Sequence, residues 1–239
     1  MTTQFAGRIA LVTGGTGGLG KSVSLAFLRE GAAVIASYVK KDEADALKDI
    51  AGAKAKLELL PLDATDEAAC RNLIDGLVAR YGQLDFLVNT IGAYAGGKPL
   101  WETDSKTFQF MLSLNLHAGY NLARAVAPVM LRRKSGSIIN IAAKAAFDHA
   151  AGASAYAASK AGALALFDCL AQDLKGSGVR VNSILPSIID TEPNRKAMPG
   201  ADFTKWPKPE DIAQVILFLC CDQAKVVHGA AVPVYGESQ

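Results

Sequence analysis

The sequence predicts an α/β fold: one doubly wound domain on a seven-stranded, mainly parallel sheet with helices on both faces. Three observations predict it. Short aliphatic runs alternate from end to end with longer stretches of helical periodicity, the pattern of repeated βαβ units. Several of those runs, such as Phe86-Leu87-Val88 and Ile138-Ile139, are continuously apolar, as strands buried on both faces must be. The 239 residues are 50% hydrophobic and 20% charged, enough to bury a sizeable core and too apolar for disorder. The whole chain, 1–239, reads as a single domain.

The elements follow in order. Strands are expected at Arg8–Thr13, Ala33–Tyr38, Lys56–Leu62, Phe86–Asn89, Ser137–Ile141, Val179–Leu185 and Ala231–Tyr235. Between them the periodicity predicts helices over Gly18–Glu30, Asp42–Ile50, Asp66–Tyr81, Lys106–Arg133, Tyr156–Lys175 and Pro209–Cys221. Asp66 is a natural N-cap, Pro209 suits a first helical turn, and Gly31, Gly82 and Gly176 stand just past helix ends. Pro233 cannot donate to a ladder, so the last strand belongs at the sheet edge. The stretch 186–208 carries Pro186, Pro193, Pro199 and Pro207, and an irregular segment of that length reads as a substrate lid.

Composition excludes several classes. Twenty-five basic against 23 acidic residues leave a net charge of +2, with no bias toward nucleic acid or membrane surfaces. Arg132-Arg133-Lys134 reads as the charged end of a helix. Cys70, Cys169, Cys220 and Cys221 form no CxxC pair and have no His at ligand spacing, so neither a disulfide framework nor a metal site is expected. His117, His149 and His228 are scattered without a nucleophile partner. Met1–Gly7 lacks the pattern of a signal peptide and no apolar run is long enough to span a bilayer, so a cytoplasmic location is expected.

Thr13-Gly14-Gly15-Thr16-Gly17-Gly18-Leu19-Gly20 follows the first strand and opens a helix. In that context Gly14, Thr16, Gly18, Leu19 and Gly20 are candidates to receive a pyrophosphate at a helix N-terminus, where free N–H groups and the helix dipole favour negative charge. The competing reading is a structural loop. The second strand runs into Ser37-Tyr38-Val39-Lys40-Lys41 with no carboxylate before Asp42. Tyr38 and Lys40 are therefore candidates for the adenosine ribose, and a cation there favours NADP(H) over NAD(H), against the alternative of two solvated surface lysines.

Tyr156 and Lys160 stand at i and i+4, on one face of a helix. A phenol titrates near pH 10, so it serves as an acid–base group only once a cation stabilises the phenolate, and the spacing supplies that cation. Together with the glycine turn, and with Asn115 in the preceding helix, the pair forms a candidate catalytic constellation.

At this point the chain resembles the short-chain dehydrogenase/reductase family over essentially its whole length. The resemblance rests on the glycine turn, Asp63, Asn89-Thr90-Ile91-Gly92, Asn115, Tyr156-Ala157-Ala158-Ser159-Lys160, and the segment from Val181 through Pro186 to Thr191. It implies a Rossmann-type fold and an oxidoreductase using NAD(P)(H). Asp63 and Ala64 would contact adenine, and Asn89 and Gly92 would line the cofactor trough. Lys160 would hold the nicotinamide ribose, with Pro186, Ile189 and Thr191 near the nicotinamide. Tyr156 would donate the proton and Asn115 would position a water relay. The Ala/Gly-dense stretch Ala150 to Ala165 would let a neighbouring helix come close, and the resemblance implies that the helix there takes part in subunit contacts, as homodimer or homotetramer.

One departure stands out: thirteen residues before Tyr156, where the family usually has a serine, this chain has Ala143. Another group such as Ser154 or Lys144 does the serine's work, or the substrate is not an ordinary ketone, or catalysis has been lost. Segments around Ala143, Gly92–Gly97 and Asp190–Trp206 resemble the dihydropteridine reductase branch, which also lacks the serine. That branch implies hydride transfer to a small conjugated substrate such as a quinonoid dihydropterin; a flat ring of that kind can rest against Tyr94 or Trp206, for each of which core packing or lid anchoring is the competing role. The alternatives are reduction of a ketone or 3-oxoacyl thioester, and a non-catalytic nucleotide-binding redox sensor.

Overall fold

Seven strands form one sheet in the order β3-β2-β1-β4-β5-β6-β7 in the computed structural model, which describes residues 4–237. The first three residues and the last two of the predicted 1–239 domain lie outside the described residues. In chain order the elements are β1 (Ile9–Thr13), α1 (Gly18–Arg29), β2 (Ala33–Tyr38), α2 (Lys41–Ala51), β3 (Leu57–Pro61), α3 (Glu67–Tyr81) and β4 (Phe86–Asn89). Then come α4 (Ser105–Leu112), α5 (Ala118–Arg133), β5 (Gly136–Ile141), α6 (Ser154–Asp173), β6 (Val179–Pro186), α7 (Glu192–Ala197), α8 (Pro209–Cys220) and β7 (Ala231–Val234). Every strand pairing is parallel.

The pleat divides the apolar residues between two cores. Ala10 and Val12 of β1 face α1 and α8, packing with Val23, Phe27, Ile212 and Ile216. Ile9 and Leu11 face the other way, into Ile74, Leu122 and Phe167 from α3, α5 and α6. Both faces of β1 and β4 are thus buried along their whole length, which is why those strands carry unbroken apolar runs.

The element ends follow their local chemistry. Asp66 Oδ1 accepts the Ala68 and Ala69 N–H groups at 2.8 and 3.2 Å, satisfying two donors at the start of α3. Gly82 ends that helix in the left-handed conformation, with φ of +69°. Strand β7 lies at the edge, bonded only to β6, with Pro233 opposite Leu185.

Two expectations require correction. The single helix expected over Lys106–Arg133 is interrupted by a π-helical turn at Ser113–His117, between α4 and α5. Apolar periodicity does not register one extra residue in a turn, and such turns cluster at functional positions; this one carries Asn115. The segment 186–208 also has more structure than its prolines suggest, with α7 and a 3₁₀ turn at Phe203–Lys205.

Strand order reverses between β1 and β4, since the chain leaves β1 toward β2 and β3 and returns on the other side. The crevice beyond the C-terminal ends of those two strands is where open parallel sheets place ligands. Among the described residues no helix is long and apolar enough to cross a membrane.

Candidate active site

The glycine turn after β1 lies at one wall of that crevice and is clamped from every side. Gly14 N–H donates to Ser37 Oγ at 3.0 Å and Gly15 N–H to the Ser37 carbonyl at 2.9 Å. Thr90 Oγ1 donates to the Thr13 carbonyl at 2.7 Å, and Ser24 Oγ to the Gly15 carbonyl at 3.0 Å. Gly14 holds φ of +67°, a conformation that side chains other than glycine adopt at a cost. At Gly20 a Cβ would stand 2.1 Å from the Gly14 carbonyl oxygen, so α1 can press against the turn only through glycine. Helix α1 follows Gly17 as its N-cap residue, with no side-chain cap and no acid in its first turn. Its free N–H groups and positive dipole end therefore fit a pyrophosphate, and the turn is a cradle rather than a flexible loop. Ser37 and Thr90 thus support the turn, a role that their positions in the two segments quoted above do not reveal; a polar residue at the end of an apolar strand is the available signal.

At the far end of the turn, Lys40 is exposed and its Nζ pairs with Glu43 Oε1 at 3.0 Å. Glu43 also accepts from Thr16 Oγ1 at 3.3 Å. Lys41 pairs with Asp45. Tyr38 stands half-buried at the end of β2, and Asp63 is exposed beyond β3. Hydrogen bonds from the Thr65 hydroxyl and N–H, at 2.6 and 2.9 Å, hold the Asp63 carboxyl below the usual range, so it is an ionised acceptor at neutral pH. Buried Asn121 braces this loop by donating to the carbonyls of Ala64 at 3.0 Å and Thr65 at 3.2 Å.

At the other wall, Asn89 Oδ1 accepts from Thr13 Oγ1 at 3.1 Å, tying the end of β4 to β1. Gly92 brings the catalytic candidates together: a Cβ there would lie 2.9 Å from Asn115 Oδ1 and 3.1 Å from Lys160 Nζ. Asn115 is committed on both sides of its amide. Its Oδ1 accepts Ala93 N–H at 2.9 Å while Nδ2 donates to the Ala93 carbonyl and to Ser159 Oγ, each at 3.0 Å. Lys160 is buried, and its Nζ donates to the Ile141 carbonyl at 2.8 Å. Burial pushes the Lys160 ammonium down to about 8.

Tyr156 stands one helical turn before Lys160 on α6. Burial, and after it the neighbouring Tyr94 phenol, pushes its hydroxyl up to about 12. The lowering expected from the i, i+4 spacing is therefore not seen in the chain alone. Lys160 points its ammonium at the β5 backbone, and desolvation of the phenol outweighs a cation aimed elsewhere. The Tyr94 and Tyr156 rings meet edge to face, with centroids 5.0 Å apart at 73°.

The proline-rich segment lies against the glycine turn. A Cβ at Gly18 would lie 2.8 Å from Thr191 Cγ2, so the glycine turn and this segment touch. Pro186 is buried at the end of β6 and Ile189 packs on the α1/α8 core. Asp190 is bound by Arg195, whose guanidinium lies 4.9 Å over the Phe203 ring. Trp206 is buried against Phe203, so it anchors the segment instead of presenting a free ring. Ala143 is buried at 6% exposure and brings no donor. His228 bonds Val181 N–H and the Ala171 carbonyl, a structural role; His149 is exposed and His117 lies in the π turn. No group of His, Cys, Asp and Glu that suits a metal occurs among the described residues.

A glycine cradle at a helix N-terminus, facing a Tyr–Lys pair across a topological switch point, defines a nucleotide-dependent oxidoreductase. Residues 8–201 match the short chain dehydrogenase family model, and the chain belongs to that family. It is similar to a 3-oxoacyl-(acyl-carrier-protein) reductase of Thermotoga maritima, 32% identical over 96% of this chain and 97% of that protein. It is also 32% identical to a D-threitol dehydrogenase of Mycolicibacterium smegmatis, over 96% and 92% of the two chains. A crystal structure of a short-chain dehydrogenase/reductase from Burkholderia xenovorans superposes with a TM-score of 0.89 at 31% identity, covering 98% of this chain and 97% of that one. The dinucleotide of this family is NAD(H) or NADP(H).

Proposed function

We propose that the protein interconverts a carbonyl and a secondary alcohol, with Tyr156 as proton donor and NADP(H) as the favoured cofactor. The observation that carries this reading is the Tyr156–Lys160 pair on α6, with Lys160 and Asn115 both pressed against Gly92 at the mouth of the crevice. Gly14, Thr16, Gly18, Leu19 and Gly20 hold the pyrophosphate, and Tyr38 and Lys40 the adenosine ribose. Asp63 and Ala64 take the adenine, while Asn89, Gly92, Pro186, Ile189 and Thr191 border the nicotinamide half. Bound there, the reduced nicotinamide supplies the hydride. Tyr156 carries its proton at neutral pH, as any phenol does and the more firmly for being buried, and it releases that proton to the substrate oxygen as negative charge develops there. Lys160, charged below about pH 8, binds the nicotinamide ribose.

The names of the relatives favour the carbonyl and alcohol class, since an oxoacyl reductase and a polyol dehydrogenase share that chemistry. Ala143 and the Asp190–Trp206 segment favour a second reading, a quinonoid dihydropterin, which needs no serine to hold a ketone oxygen. Following nicotinamide absorbance with acetoacetyl-coenzyme A, a polyol-derived ketone and a quinonoid dihydropterin, each with NADPH and with NADH, tests both. Turnover of a ketone that Tyr156→Phe abolishes supports the first reading; turnover of the pterin alone replaces it with the second. A clear NADH preference overturns the role of Lys40, whose charge already leans on Glu43. The Ala/Gly-dense stretch before and along α6 suits a homodimer or homotetramer, read by analytical ultracentrifugation.

A further inference from the structure

A carbonyl oxygen gaining charge is best stabilised by two donors, and Tyr156 is one. Ala143 removes the usual second one, so the question is which side chain replaces it. Lys144 is engaged elsewhere: its ammonium pairs with Asp148 at 3.2 Å and sits 5.5 Å over the Tyr235 ring. Ser154 precedes Tyr156 by two residues on α6, and positions i and i+2 do not share a helix face. The amide of Asn115 is fully used on Ala93 and Ser159.

Tyr94 meets the requirements those residues fail. Its ring lies edge to face on Tyr156, with centroids 5.0 Å apart. The side chain is 66% exposed, and no hydrogen bond within the described residues occupies its hydroxyl. Its placement is built in. Asn115 grips both the N–H and the carbonyl of Ala93 immediately before it, and Gly97 N–H donates to the Gly152 carbonyl at 2.9 Å after it. Gly96 leaves the room, since a Cβ there would stand 2.4 Å from Tyr94 Oη. We propose that Tyr94 supplies the second hydrogen bond to the substrate oxygen, in the role a serine at position 143 would otherwise fill. The substrate is then a ketone whose oxygen lies between two phenols. This rests on the carbonyl reading above. It also gives Asn115 a positioning role, acting on the substrate through Ala93 and Tyr94.

The test uses Tyr94→Phe, which keeps the ring and removes only the hydroxyl, with Ala143→Ser in both backgrounds. With NADPH and the ketone that wild type reduces, Tyr94→Phe lowers kcat about 10- to 100-fold, in line with losing one donor to a developing oxyanion. NADPH affinity, from fluorescence titration, stays within twofold. Adding Ala143→Ser to Tyr94→Phe restores about tenfold, whereas a ring that merely packs on Tyr156 is not rescued by a hydroxyl at 143. Tyr94→Phe within twofold of wild type, or a loss that Ala143→Ser does not repair, overturns the proposal. If wild type turns over no ketone, the carbonyl reading itself has failed. Quenching of bound NADPH fluorescence by acetoacetamide then decides on Tyr94 separately. About tenfold weaker binding in Tyr94→Phe, recovered by Ala143→Ser, sustains its role as donor, and equal binding refutes it.

Discussion

Gly92→Ala adds one methyl at the point where Asn115 and Lys160 converge. The new Cβ would lie 2.9 Å from Asn115 Oδ1 and 3.1 Å from Lys160 Nζ, while ordinary contact starts at 3.4 Å, so the oxygen must retreat about 0.5 Å and the ammonium about 0.3 Å. Neither is free to do so, because each is held by a hydrogen bond, Asn115 Oδ1 from Ala93 N–H at 2.9 Å and Lys160 Nζ to the Ile141 carbonyl at 2.8 Å. Overpacking of this kind costs about 1–3 kcal/mol. At about 2–4 °C per kcal/mol for a domain of this size, Tm falls by roughly 4–8 °C for a cost near 2 kcal/mol. Misplacement of a reacting group by about 1 Å costs on the order of 100-fold, so half that displacement predicts a loss near tenfold in kcat/KM. The control is Gly52→Ala, at φ of +82° with nothing within 4 Å of its Cβ. It loses about 1 kcal/mol to backbone strain and leaves kcat/KM unchanged. Thermal melts and steady-state kinetics on both variants separate the effects. If Gly92→Ala melts lower but keeps kcat/KM within twofold, the positions of Lys160 and Asn115 do not limit the rate and the reasoning is wrong.

Three further outcomes are expected. Tyr156→Phe lowers kcat by about 10²–10⁴-fold, the usual worth of general acid catalysis, with dinucleotide affinity unchanged; a fall in affinity of similar size would reassign Tyr156 to binding. Lys160 titrates at about 8 in the folded chain against 10.5 ordinarily, so between those values the folded chain binds fewer protons than the unfolded one. The contribution of Lys160 to stability therefore rises with pH across that window, by up to about 3 kcal/mol, and is lost as pH falls through about 8; above about pH 9 the buried thiols of Cys70 and Cys220, pushed up to about 11 and about 12, act in the opposite direction, so the difference between wild type and Lys160→Met in parallel melts from pH 7 to 10 isolates it. Gly20→Ala sets a methyl 2.1 Å from a backbone oxygen that cannot move aside, so dinucleotide binding drops more than about 100-fold and Tm falls by more than about 6 °C; retention of binding by isothermal titration contradicts the cradle.

Much of the candidate site is legible in the sequence. Gly14 to Gly20, Tyr156 and Lys160 each sit in a spacing whose chemistry is local: a turn that needs glycine, and a helix face repeating every turn. Strand and helix periods likewise mark the elements, because burial on one or both faces leaves its imprint residue by residue. Other features escaped because their cause is not local. The π turn around Asn115 adds a residue that apolar periodicity does not count. Ser37, Thr90 and Asn121 look like ordinary polar residues until the sheet brings their partners within reach.

The phenol of Tyr156 shows the division most plainly. Spacing alone places a cation one turn away and predicts an acidified hydroxyl. The fold buries the ring against Tyr94 and turns Lys160 toward Ile141, which raises the hydroxyl instead. Which residues share a helix face follows from 3.6 residues per turn, and the chain alone specifies it. Where a long flexible side chain sends its charge, and how dry its neighbour becomes, depends on groups from β5 and the loop from Gly92 to Tyr94, and only packing in three dimensions brings those together.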